Sequence, residues 1–205
     1  MNRKEAIKIL SEHQSNLISD ADKMNILLDF WYSYESEPEY LNEELIDYLS
    51  THEFDDVEYY SEFFQPVVVS GLVHKNSILN NNYLSKELSN VLLKKIEVFG
   101  DEIGRKIKCP CCYFYTLSGR LSYDICSICY WEGPGGDELS YSSANHSTLS
   151  EYRNEFFINH DKAELEKYIF NKKADIFDAP FMNLKILFPR DKSRVFSFIT
   201  VYFIQ

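Results

Sequence analysis

Four cysteines set in two short steps restrict this 205-residue chain more than any other feature it has. Cys109 and Cys112 flank Pro110-Cys111, Cys126 and Cys129 flank Ser127-Ile128, and thirteen residues lie between the pairs. C-x₂-C is the spacing at which a tight turn points two sulfurs at one centre, and two such turns supply the four ligands of a tetrahedral structural zinc. Pro110 stiffens the first turn. Four thiolates close the shell and leave no position for water, so the expected ion supports the fold and is not a Lewis acid. Iron held by the same four sulfurs is the alternative metal. Cys111 would replace Cys112 only by giving up the C-x₂-C step, and it is placed outside the ligand set. His146, seventeen residues beyond Cys129, is assigned to capping or to the surface.

All five cysteines fall between positions 109 and 129, which favours a reducing cytoplasm and a metal site over a secreted disulfide framework. The opening Met1-Asn2-Arg3-Lys4-Glu5 lacks the apolar stretch of a signal peptide, and there is no run of about eighteen apolar residues. Neither a leader nor a membrane span is expected. With 45% hydrophobic residues a packed core is affordable, as one large domain or two small ones. The formal charge is −11, and four thiolates around a divalent ion take it to −13. Nucleic acid, itself a polyanion, is therefore not the expected partner. No Ser-His-Asp arrangement, H-E-x-x-H, P-loop or G-x-G-x-x-G occurs, and the chain is expected not to be an enzyme.

Periodicity divides the chain into three segments and predicts an α+β fold. Residues 1–94 read as helical: Ala6, Ile9, Leu10 and His13 share a face with Ile7 at its edge. Ser19 caps a second helix carrying Met24, Leu27, Leu28 and Trp31. Leu41, Leu45, Tyr48 and Leu49 form a third stripe after Pro38, and Leu84, Leu88, Val91 and Leu92 a last one. Pro66, Gly71 and Asn80-Asn81-Asn82 mark turns. Residues 95–145 form a small zinc-ribbon-like module, in which Tyr113–Leu117 and Leu121–Ile125 make a hairpin that returns Cys126 to Cys112. The Gly133-Pro134-Gly135-Gly136 run closes it. Residues 146–205 begin with Ser147 or Thr148 as a cap, followed by Leu149, Tyr152, Arg153 and Phe156, then a helix over 161–170. They end in a β-hairpin of Leu184–Phe188 and Val195–Ile204. The three segments are compatible with one compact unit, and no internal repeat is evident.

The stretch Cys109-Pro110-Cys111-Cys112, Cys126-Ser127-Ile128-Cys129-Tyr130-Trp131-Glu132, Ala144-Asn145 and Leu149 with Arg153 resembles the bacterial CPCC cysteine-rich family. Asp137 and Glu138 match the acidic loop of that family loosely, and Leu27-Leu28-Asp29-Phe30-Trp31 is similar to a pattern of its longer members. Tyr113 stands where a glycine is common, so it must accept the backbone geometry that glycine adopts easily. The resemblance implies no enzymatic activity. It implies a context in which similar proteins look like immunity partners of bacterial toxins.

Charge distribution gives that implication a physical form. No lysine or arginine occurs from Met24 to His74, a stretch holding twelve acids interleaved with aromatic residues. Uncompensated like charge costs stability, and a basic partner would account for it. Glu53, Asp55, Asp56, Glu58, Tyr59, Tyr60 and Glu62 are the expected contact residues for a basic toxin domain, supplying steering charge and rigid contact area. The alternative is a zinc-ribbon nucleic-acid-binding regulator using Lys106, Lys108, Tyr113, Tyr115 and Arg120.

Overall fold

The computed structural model describes residues 1–31, 41–54, 62–118, 124–133 and 137–170, all within one unit, Met1–Phe170. The expected C-terminal hairpin, the Leu121–Tyr123 part of the module's second strand, Pro134–Gly136 and Pro38 lie outside the described residues.

Helices dominate the first half. They are α1 (Arg3–Ser15), α2 (Asp20–Trp31), α3 (Glu43–Thr51), α4 (Gln65–Asn76, entered by the 3₁₀ turn Glu62–Phe64) and α5 (Asn81–Val91). Side-chain caps start most of them: Asn2, Asn42 and Asn80 accept from the backbone N–H groups of Lys4, Leu45 and Tyr83, and the Ser19 hydroxyl accepts from Asp22 N–H. Pro66 opens α4, where a missing N–H costs nothing.

Helix α4 is buried along most of its length because it packs against both α1 and α2. On one side Val67, Val68 and Leu72 join Ile26, Leu27, Trp31, Leu45, Leu49 and Phe64. On the other, Val73 joins Ala6, Ile7, Leu10, Leu84, Leu88 and Val98. Polar side chains fix the register of the α1–α4 seam: Asn76 donates to Ser11 Oγ at 2.9 Å and Gln14 Oε1 at 2.8 Å, and Gln65 donates to Ser15 Oγ at 2.8 Å.

Several stripes differ from expectation. Ser11 and Ser15 take the buried face of α1, and His13 is exposed. In α2, Ile26 is buried and Leu28 is half exposed. Gly71 is not a turn residue. It lies inside α4, where an added Cβ would stand 2.5 Å from Ile26 Cγ2 and 3.0 Å from Phe30 Cδ2. Glycine is there because two helices approach closely, which outweighs its poor helix propensity. Gly71→Ala should destabilise the protein by about 1–3 kcal/mol through overpacking, although alanine favours helix. Urea unfolding checks this, and a stabilised variant would refute the close approach.

The second half holds short elements: β1 (Ile107–Lys108), β2 (Tyr115–Leu117), β3 (Tyr141–Ser142), β4 (Ser147–Thr148), α6 (Leu149–Asn159) and α7 (Lys162–Leu165). They form two antiparallel pairs, β1–β2 and β3–β4. The mixed helix-and-strand class is as expected, but β2 finds its partner in β1, upstream of the cysteines, while Ile125 bridges to Glu132. Thr148 caps α6 through a reciprocal box with Glu151. The helix expected over 161–170 is one turn, because the following residues are drawn out as an extended stitch. Ile169 N–H donates to Ile78 O, and Tyr115 N–H donates to Ile169 O. That stitch joins the helical cores to the cysteine-bearing half.

Candidate metal centre

Each cysteine pair sits in a tight turn, and the two turns are copies of one six-residue unit, C-x-x-C-Y-[FW]. In the first, Tyr113 N–H donates to Cys109 O at 3.0 Å and Cys109 N–H to Phe114 O at 2.8 Å. In the second, Tyr130 N–H donates to Cys126 O at 2.8 Å and Cys126 N–H to Trp131 O at 3.0 Å. Tyr113 and Tyr130 both adopt positive φ, 66° and 61°. This left-handed step is what the turn demands, and it is uncommon for a bulky side chain. The tyrosine in place of glycine at 113 is thus matched by a second at 130. Phe114 and Trp131, next in each unit, are both buried. The repeat is legible in the sequence once the cysteines are aligned, but it is too short to stand out unaligned.

The turns bring together the four cysteines that the spacing selects. The sulfurs of Cys109, Cys112, Cys126 and Cys129 lie within 4.8 Å of one another and all four residues are buried. Cys109 and Cys129 Sγ are 3.7 Å apart, and Cys112 and Cys126 Sγ are 3.6 Å apart. A tetrahedron with metal–sulfur bonds of ~2.3 Å has edges of ~3.8 Å, whereas a disulfide needs ~2.05 Å. The donor set therefore fits a metal ion such as zinc. Without an ion, the four thiols share charge unequally. Hydrogen bonds from Cys109, Cys112 and Cys129 draw the Cys126 thiol down, and burial pushes the Cys112 thiol up. A divalent ion would be needed to hold all four as thiolates in so buried a place. Cys111 is buried and outside the set, and His146 is exposed.

The residues around the sulfurs hold the two turns against α6. Arg153, on α6, donates from Nε to Cys111 O at 3.0 Å and from a terminal nitrogen to Pro110 O at 2.8 Å. Its two terminal nitrogens also grip Glu138, each at 2.8 Å, and its guanidinium lies 4.8 Å from the Tyr113 ring centroid. Tyr152 donates to Cys129 O at 2.9 Å and meets Trp131 edge to face. Asn145 acts as a strand substitute: its carbonyl accepts from Glu132 N–H at 2.8 Å and its amide donates to Glu132 O at 2.9 Å. Leu149, Phe156 and Leu165 complete the core with the cysteines, Phe114, Leu117 and Trp131. The resemblance motif A-N…L-x-x-x-R therefore has a mechanical meaning in this chain, since Asn145 and Arg153 each hold one turn.

Of the expected partner residues, Glu53 and Glu62 are exposed, and Asp55, Asp56, Glu58, Tyr59 and Tyr60 lie outside the described residues. Among the aromatic residues of the acidic stretch, Trp31 and Phe64 are buried, with Tyr48, Phe54 and Phe63 packed against them. Within the described residues these rings serve the core while Glu43, Glu44 and Asp47 face solvent.

Residues 107–166 match the family model Cysteine-rich CPCC, less than a third of the chain but all of the metal centre and its supports. The similar pattern at Leu27–Trp31 falls outside the match. No curated protein and no solved structure matches the chain. Among the described residues no helix is long and apolar enough to cross a membrane.

Proposed function

We propose that this chain is a cytoplasmic, zinc-stabilised immunity protein, a non-enzyme that binds a basic toxin domain stoichiometrically and occludes its active or substrate-binding surface. The observation that carries the partner's charge is the cation-free acidic stretch from Met24 to His74, whose described acids Glu43, Glu44, Asp47, Glu53 and Glu62 are exposed. A single-sign field of this kind accelerates capture of an oppositely charged partner. The aromatic rings it was paired with in sequence supply rigidity beneath that surface where they are described. The resemblance to CPCC proteins supplies the toxin context. The metal's role is structural, since four buried sulfurs close its shell.

Co-expression with any toxic domain found encoded beside this chain's gene should restore growth, and the two should co-purify. Absence of both would refute the immunity reading. The triple reversal Asp55→Lys, Asp56→Lys, Glu58→Lys should lower the association rate on the order of 10-fold or more and flatten its salt dependence. An unchanged rate would place the interface elsewhere.

A further inference from the structure

We propose that Thr116 is a positioning residue of the metal centre, donating its hydroxyl proton to the Cys126 sulfur and so stabilising that sulfur as a thiolate ligand. The inference rests on the tetrathiolate reading and goes beyond the ligand set. Thr116 Oγ1 lies 3.1 Å from Cys126 Sγ, the sulfur in the turn opposite to the one that leads into β2. Its placement follows from a defect in the sheet. Lys108 pairs with Tyr115 and Ile107 with Leu117, so Thr116 is the extra residue of a β-bulge. Bulges re-aim a side chain at the cost of one ladder position. Here the strand is held on both sides of the bulge, by β1 and by the bond from Tyr115 N–H to Ile169 O.

Four thiolates around a divalent ion leave two net negative charges in a core where the cysteines are no more than 3% exposed. Water does not screen that charge, so donors fixed near the sulfurs must spread it. A hydroxyl on Cys126 does so and also fixes the direction of its lone pairs. Outer donors of this type are worth about 10–100-fold in metal affinity. A hydrogen bond to sulfur also makes it a poorer electron donor, which shows in the charge-transfer bands of a coloured substitute ion.

The test is cobalt(II) substitution in the full chain, with affinity read by chelator competition. In Thr116→Val and in Thr116→Ala, affinity should fall about 10-fold or more, and the sulfur-to-cobalt bands should move to lower energy. Thr116→Ser, which keeps the hydroxyl, should restore both. Wild-type band positions and affinity in either hydroxyl-free variant would overturn the proposal and leave the metal centre standing. Wild-type protein that gives no tetrathiolate cobalt spectrum would instead overturn the centre itself.

Discussion

Stripping the metal from the native protein should dissolve the core around the cysteines and leave the core of α2, α3 and α4 packed. Among the described residues, the strands of the cysteine-bearing half are two or three residues long, in two separate pairs. Such ladders are too short to persist unaided. Their buried side chains cluster on the cysteines themselves, whereas the two helical clusters contain none. Structural zinc contributes about 10–16 kcal/mol of binding free energy in small modules, as much as the whole stability of an ordinary domain. The two tryptophans separate the outcomes. Trp31 is fully buried in the α2–α3–α4 core and Trp131 is buried beside Cys129. In Trp31→Phe protein, chelation should shift the Trp131 emission strongly to the red; in Trp131→Phe protein, the Trp31 emission should hold. Cys126→Ser should reproduce the chelated state. Emission that moves in both proteins would make the metal a support for the entire unit, and emission that moves in neither would remove its structural role. Elemental analysis of the starting material distinguishes zinc from iron.

What could be read from the sequence was whatever depends on local spacing. C-x₂-C twice fixes four ligands, because a turn of that length has few ways to point its sulfurs. Ser19 and Thr148 announce helix starts, because their side chains satisfy N–H groups only a few residues away. Where two elements decide the matter together, local spacing carries no signal. Gly71 resembles a turn until α2 is seen pressing Ile26 and Phe30 against it. Tyr113–Leu117 alternates as a strand should, yet nothing local says that Ile107–Lys108 will be its partner. Residues 166–170 continue a helical pattern that Leu79 and Tyr115 override by recruiting Tyr168 and Ile169 into extended pairing. The support roles of Asn145, Tyr152 and Thr116 share this origin. Each acts on a backbone group or sulfur at least ten residues away in sequence, and no short motif encodes that distance.

Among the polar side chains that hold the cysteine turns, Arg153 should prove the most costly to lose. Its side chain is 12% exposed, and it binds two carbonyls of the first cysteine turn along with both oxygens of Glu138. Through those two carbonyls Arg153 ties the Pro110-Cys111 step to α6. Arg153→Leu keeps much of the apolar stem but strands both acceptors. Charge-assisted bonds of this kind contribute about 1.5–3 kcal/mol each, so a loss on the order of 3 kcal/mol is expected after partial rehydration. Arg153→Lys should recover less than half of it, because an ammonium cannot fork between carbonyls and a carboxylate at once. Glu138→Gln should cost no more than about 1 kcal/mol, since that partner is half exposed and its charge is screened. Urea midpoints at constant slope measure all three, and metal affinity should fall in the same order. Equal losses for Arg153→Leu and Glu138→Gln would show that the ion pair, and not the grip on the turn, is what Arg153 provides.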